Sequence, residues 1–140
     1  MTPDPLRLRE LLARLVEAEV RFVLVGGLAV NAWGYLRATR DVDFVPDPDP
    51  ENLARLDSLL RDLGGKVDVA GQLNVLQGLP QVPPFAALEE KAEDVDIDGL
   101  VVRVCSLEHL IQMKRASERG RDREDLAALE AVQEEEEKEK

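Results

Sequence analysis

Cysteine and histidine each occur once in the 140 residues, as Cys105 and His109. A single cysteine cannot close an internal disulfide. A single histidine excludes a His-dependent zinc cluster and argues against a Ser-His-Asp arrangement. Bases are also scarce: 18 Lys and Arg stand against 29 Asp and Glu, for a net charge of -11. That balance argues against a protein that coats nucleic acid, since phosphate affinity comes from Lys and Arg. It argues equally against an anionic membrane surface. No apolar run approaches the roughly 20 residues that span a bilayer. Met1–Arg9 holds two prolines and no apolar h-region, unlike a signal peptide. These absences set the expectation of a cytoplasmic protein. A chain of 15.6 kDa suits one domain. We read residues 1–130 as that domain and residues 131–140 as an acidic tail, of which Glu134–Lys140 alone carries five Glu and two Lys.

Apolar periodicity organises the rest. Leu8, Leu11, Leu12, Leu15 and Val16 recur at helical spacing within Leu6–Ala18. Val20–Val25 is almost wholly apolar and reads as a strand buried on both faces. Gly26-Gly27 ends it, and a short helix is expected over Leu28–Gly34. Asp41–Val45 reads as a second strand, closed by Pro46, Pro48 and Pro50. Glu51–Leu63 is an amphipathic helix. Lys66–Ala70 and Gln72–Leu76 are short strand candidates, and Phe85–Ala92 a short helix. Asp98-Gly99 is a hairpin signal between Val95–Ile97 and Leu100–Cys105. Ser106 suits the N-cap of a helix over Leu107–Ala116. Arg119–Arg123 reads as a charged break before a last helix, with Asp125 as a candidate cap. This order of elements predicts an α/β (α+β) domain with a small mixed β-sheet flanked by helices.

One constellation stands out. Asp is disfavoured inside strands, yet Asp41 and Asp43 alternate with Val42 and Phe44. With period 2 the two carboxylates share a face, their Cα atoms about 6.6 Å apart at a rise of about 3.3 Å per residue. Such a pair repels unless a cation sits between them, and Mg²⁺ often binds through one or two carboxylates plus substrate phosphates. A strand, Gly-Gly and a helix start likewise suits a phosphate. Alone, Gly-Gly is more often a tight turn and Asp-x-Asp a surface feature; together they point to phosphoryl or nucleotidyl transfer. A dinucleotide fold is excluded, because no G-x-G-x-x-G follows the strand.

The stretch VLVGGLAVNAWGYLRATRDVDFV resembles the signature of the DNA polymerase β-type nucleotidyltransferase superfamily. It is most similar to the AbiEii-like toxin nucleotidyltransferases and their small single-domain relatives. These share the R-x-T of Arg37 and Thr39 before the two aspartates. They also share a Lys near the end of one helix and an R-x-x-D-x-x-D-L run opening the next, here Lys114, Arg119, Asp122 and Asp125. The resemblance implies that Gly26 and Gly27 hold the triphosphate and that Asp41 and Asp43 bind Mg²⁺ or Mn²⁺. It implies that Arg37, Thr39, Lys114, Arg119, Asp122 and Asp125 lie on the nucleotide side, the last two as braces of the helices or the site. A solvated Lys114 and a structural ion-pair network of Arg119, Asp122 and Asp125 are the bland alternatives. Relatives often carry a third Asp where Asn74 stands; an amide can ligate but cannot act as a base.

The expected reaction is transfer from an NTP to a hydroxyl of RNA, a protein or a small molecule, as the toxin of a toxin–antitoxin pair. The alternative is a degenerate nucleotide-binding or protein-interaction module of the same fold. A cognate antitoxin or a second copy of the chain is the expected partner. Arg37, Arg40, Lys114, Arg115, Arg119, Arg121 and Arg123 flank the two motifs, so a locally basic cleft is expected. Trp33, Tyr35 and Cys105 are read mainly as packing, and His109 as a helix-surface residue.

Overall fold

The computed structural model describes residues 5–35, 39, 41–63, 73–76, 78–116 and 120–139. The chain runs α1 (Pro5–Glu17), β1 (Phe22–Val25), α2 (Gly26–Ala32), β2 (Val42–Pro46), α3 (Pro50–Leu63) and β3 (Leu73–Val75). It continues with α4 (Phe85–Lys91), β4 (Glu93–Ile97), β5 (Leu100–Val104), α5 (Leu107–Arg115) and α6 (Gly120–Lys138). The strands form one mixed sheet in the order β3-β2-β1-β5-β4, as the sequence predicts for the fold class. The strand expected over Lys66–Ala70 lies outside the described residues.

The apolar stripe of α1 buries Leu8, Leu11, Leu12 and Leu15, and α1 packs on α3, β2 and β5. Strand β1 is the centre of the sheet and is buried along its whole length. It pairs antiparallel with β2 and parallel with β5. Parallel pairing buries both faces, which is why this strand lacks polar alternation. Asp98 (φ 51°) and Gly99 (φ 89°) both take left-handed backbone, the type I′ turn that joins β4 to β5.

Two helices begin earlier than their sequence patterns suggest. The helix after β1 starts at Gly26 itself. The last helix starts at Gly120, so the expected charged break at 120–123 is its first turn. Asp125 therefore sits inside that helix and caps nothing. The helix also runs through Lys138, so the described part of the acidic tail continues it as an exposed extension.

One buried polar residue anchors the connection from β2 to α3. Asn52 is fully buried on the same helix face as Leu56, Leu59 and Leu63. Its Oδ1 accepts from the Arg21 backbone N–H at 2.7 Å, and its Nδ2 donates to the carbonyls of Arg21 and Asp47, both at 2.9 Å. The amide thus serves the backbone ahead of β1 as a strand neighbour would. Asp49 opens α3, its Oδ2 accepting from the Asn52 N–H at 3.4 Å, with Pro50 in the first helical position, where its missing N–H costs nothing.

Asn52→Ala takes the partner from the Arg21 N–H and the Asp47 carbonyl, while the Arg21 carbonyl keeps the Asp47 N–H at 3.0 Å. Each such loss costs about 1–3 kcal/mol, so the variant is expected to lose at least about 2 kcal/mol in urea unfolding. An unchanged midpoint and slope would show that Asn52 is not an anchor.

Candidate active site

Strand direction decides where the site lies. β1 and β5 run parallel, so their C-terminal ends meet at one edge of the sheet, where α2 and α5 begin. β2 runs against β1, and β3 runs with β2, so both bring their N-terminal ends to that same edge. Register then places Val25 opposite Asp43 and Asp43 opposite Asn74. Asp43 is thus flanked by the residue before Gly26 on one side and by Asn74 on the other.

Both neighbours shape the Asp43 carboxylate. Gly26 has φ +70°, and a Cβ there would collide with Asp43 Oδ2. Only glycine accepts both that backbone and that approach. On the other side Asn74 Nδ2 donates to Asp43 Oδ1 at 2.9 Å. Asp41 precedes β2 by one residue, but the expected alternation holds: Asp41 and Asp43 are partly exposed, while Val42 and Phe44 are fully buried. Thr39 Oγ1 donates to the Asp41 carbonyl at 3.4 Å, so its hydroxyl serves the backbone ahead of the strand. Gly27 is buried within α2, so of the glycine pair it is Gly26 that lines the open space.

That space is a cleft of about 530 Å³ bounded by Gly26, Asp43, Met113, Lys114 and Asp122, with an apolar wall that includes Leu79 and Leu110. Lys114 closes its floor at the end of α5. The Lys114 side chain is 9% exposed, with Nζ 2.6 Å from Asp122 Oδ1 and 3.0 Å from Asp125 Oδ2, carboxylates 2% and 0% exposed. The solvated lysine considered from sequence is therefore excluded by burial, and a structural pairing with Asp122 and Asp125 is present. A base in the last turn of α5 and an acid in the first turn of α6 also complement the two helix dipoles.

Arg37, Arg40 and Arg119 lie outside the described residues. Arg115 points to Glu130 at 3.9 Å. Among the described residues the charged groups lining the cleft are Asp43, Asp122 and Lys114. Trp33 Nε1 donates to the Cys105 carbonyl at 3.0 Å, which ties α2 to the end of β5 and supports the packing role. Cys105 is buried, and desolvation pushes its thiol up to about 12, so it is inert rather than nucleophilic. His109 is only partly exposed, its Nδ1 buried without a hydrogen-bond partner among the described residues, so it is not a simple surface residue.

Asp41 and Asp43 are the residues that could hold a divalent cation here. Asp41 and Asp43 supply carboxylate oxygens beside a close-approach glycine, and Asn74 supplies a neutral amide. Among the described residues no group of three His, Cys, Asp or Glu could hold a metal ion by itself. Such a site suits Mg²⁺ or Mn²⁺ whose remaining ligands are phosphate oxygens.

Lys114→Met removes the cation that Asp122 and Asp125 share, and breaking a buried ion pair costs about 3–5 kcal/mol. A loss of that size is expected in chemical denaturation. Adding Asp122→Asn and Asp125→Asn in the same chain is expected to recover at least half of it; no recovery would mean that charge is not what holds these helices.

The sequence matches the family described as "Nucleotidyltransferase of unknown function (DUF6036)" over residues 6–135. No curated protein matches it in sequence. In structure it is similar to the solution structure of the antibiotic-resistance factor ANT(2'')-Ia, with a TM-score of 0.60 at 16% identity, over 88% of this chain and 80% of that one. At that identity the likeness concerns the fold, and it agrees with the mixed sheet and flanking helices seen here. With 130 of its residues inside the family match and Gly26, Asp43 and Asn74 gathered at one sheet edge, the chain belongs to the DUF6036 nucleotidyltransferases.

Proposed function

We propose that the chain transfers a nucleotidyl group from an NTP to a hydroxyl acceptor with the help of Mg²⁺ or Mn²⁺, the acceptor oxygen bonding to the α-phosphorus as the α–β phosphoanhydride bond breaks and pyrophosphate leaves. The observation that carries this reading is the register Val25–Asp43–Asn74, which sets a close-approach glycine beside a carboxylate at the mouth of a cleft. Family membership and the likeness in fold to ANT(2'')-Ia support it.

In this reading Gly26 lets the triphosphate come close to the backbone, since no side chain stands between them. Asp41 and Asp43 hold the cation. When bound, that cation neutralises charge on the phosphates and polarises the phosphorus under attack. Asn74 offers no base, which leaves removal of the acceptor's proton to solvent. Lys114, neutralised by Asp122 and Asp125, shapes the floor rather than contributing a free positive charge. The apolar wall that includes Leu79 and Leu110 is suited to the base and sugar. The acceptor is a hydroxyl of RNA, of a protein or of a small molecule. By its resemblance to the toxin relatives, the protein acts as the toxin of a toxin–antitoxin pair, with the antitoxin as partner.

A second reading is favoured by one observation: the residue beside Asp43 is an amide that donates to it. A site in which an amide rather than an acid stands beside Asp43 suits a nucleotide-binding module without turnover. Calorimetry showing nucleotide binding, with no product on any acceptor, would select this reading.

Incubation with labelled NTPs and Mg²⁺ or Mn²⁺, with RNA and protein acceptors, is expected to yield labelled product. Asp41→Asn and Asp43→Asn are each expected to lower the rate at least about 100-fold, or about 2.7 kcal/mol. Retention of full transfer by both variants would contradict the assignment.

A further inference from the structure

Among the described residues β4 is an edge of the sheet, and its neighbours decide which of its backbone groups face outward. The Cys105 N–H donates to the Leu24 carbonyl at 3.0 Å, so Cys105, Arg103 and Val101 turn their backbone groups toward β1. Leu100, Val102 and Val104 therefore turn theirs toward β4, where they stand opposite Ile97, Val95 and Glu93. Alternation along an antiparallel pair leaves Asp94 and Asp96 with N–H and C=O pointing away from the sheet. No described residue bonds to those groups. The pleat divides the side chains as well. Val95 and Ile97 are half-buried against the core, while Asp94 and Asp96 share the opposite face and are exposed.

Charge on an edge strand commonly blocks pairing, and here it blocks one kind of partner. Glu93, Asp94, Asp96 and Asp98 make the segment acidic. Arg103 offsets Asp94 at 3.3 Å, and Arg9 reaches the Asp98 carbonyl at 3.0 Å, so the excess is reduced but not removed. A second β4 would set like charges across the new pair, which repel. A strand carrying Lys or Arg meets the reverse. We propose that β4 is the docking edge for an extended basic segment of another protein, which adds to the sheet beside it. The backbone of that segment pairs with Asp94 and Asp96. Its bases alternate with apolar residues: the bases stand beside the two carboxylates, and the apolar side chains extend the face of Val95 and Ile97. β4 contributes no residue to the described lining of the cleft, so docking at this edge holds or fails apart from nucleotidyl transfer.

The probe is an end-blocked peptide of alternating Lys and Val, with a peptide of the same composition in two blocks as control, each added to the full chain. In calorimetry the alternating peptide is expected to bind at least about tenfold more tightly than the control. In residue-resolved amide hydrogen exchange it is expected to slow Asp94 and Asp96 at least about tenfold, while Val95 and Ile97 are slow from the start. Asp94→Pro removes an outward N–H and no bond to β5; it is expected to weaken the alternating peptide at least about tenfold, and more than Asp94→Asn does. Equal binding of the two peptides shows a general attraction to an acidic protein and overturns the proposal. No binding, or binding that leaves Asp94 and Asp96 fast, overturns it as well. Exchange at both residues that slows with protein concentration before any peptide is added makes a second copy the occupant, and also overturns it. The exchange measurement on the wild type decides even where Asp94→Pro fails to fold.

Discussion

The pairing of β2 between β1 and β3 is the constraint on which the site depends. A shift of one residue in that register would turn Asp43 into the core and Phe44 out to water. The register cannot shift, because Val42 and Phe44 are fully buried on one face of β2 and Phe22 meets Phe44 edge-on at 5.6 Å. The hydrophobic core thus fixes a carboxylate at the sheet edge. Gly26 then becomes obligatory, for its positive φ and for the space that Asp43 occupies. The core and the candidate site are two faces of one short strand.

The second constraint is ionic. Lys114 binds Asp122 and Asp125 across the α5–α6 connection and closes one side of the cleft. Buried ion pairs add little net stability, but they penalise any arrangement that separates the partners. Here that penalty acts together with the burial of Leu129, and with Leu126 and Val132 packed on the core, to keep α6 against α5. Asn52 does comparable work at the start of α3, where a polar side chain completes the hydrogen bonding of buried backbone.

The sheet, its strands and the hairpin turn were readable in the sequence because they follow from local rules: apolar runs, period-2 alternation and Asp-Gly turn chemistry. The pairing of Asn74 with Asp43 was not readable from pattern, because register between distant strands depends on tertiary packing. Resemblance to relatives with an acid at that position was the pointer to Asn74. Lys114 misled in one respect. Its place near a helix end fits either a solvated or a buried side chain, and only the approach of two acids from the next helix decides for burial. Asn52 did leave a trace, as the one polar residue on an otherwise apolar helix face. Of the arginines behind the expected basic cleft, Arg115 turns to Glu130, while Arg37, Arg40 and Arg119 lie outside the described residues.

Family membership and fold agree with the chemistry that the edge of the sheet suggests: a glycine without a side chain, a braced carboxylate and a second acid two residues before it. The most direct measurement is a crystal soaked with Mg²⁺ and a non-hydrolysable NTP analogue. The expected result is triphosphate density against Gly26 and a cation shared between phosphate oxygens and Asp41 and Asp43. Nucleotide density away from this edge, with Asp43 still held by Asn74 and no cation beside it, would contradict the assignment.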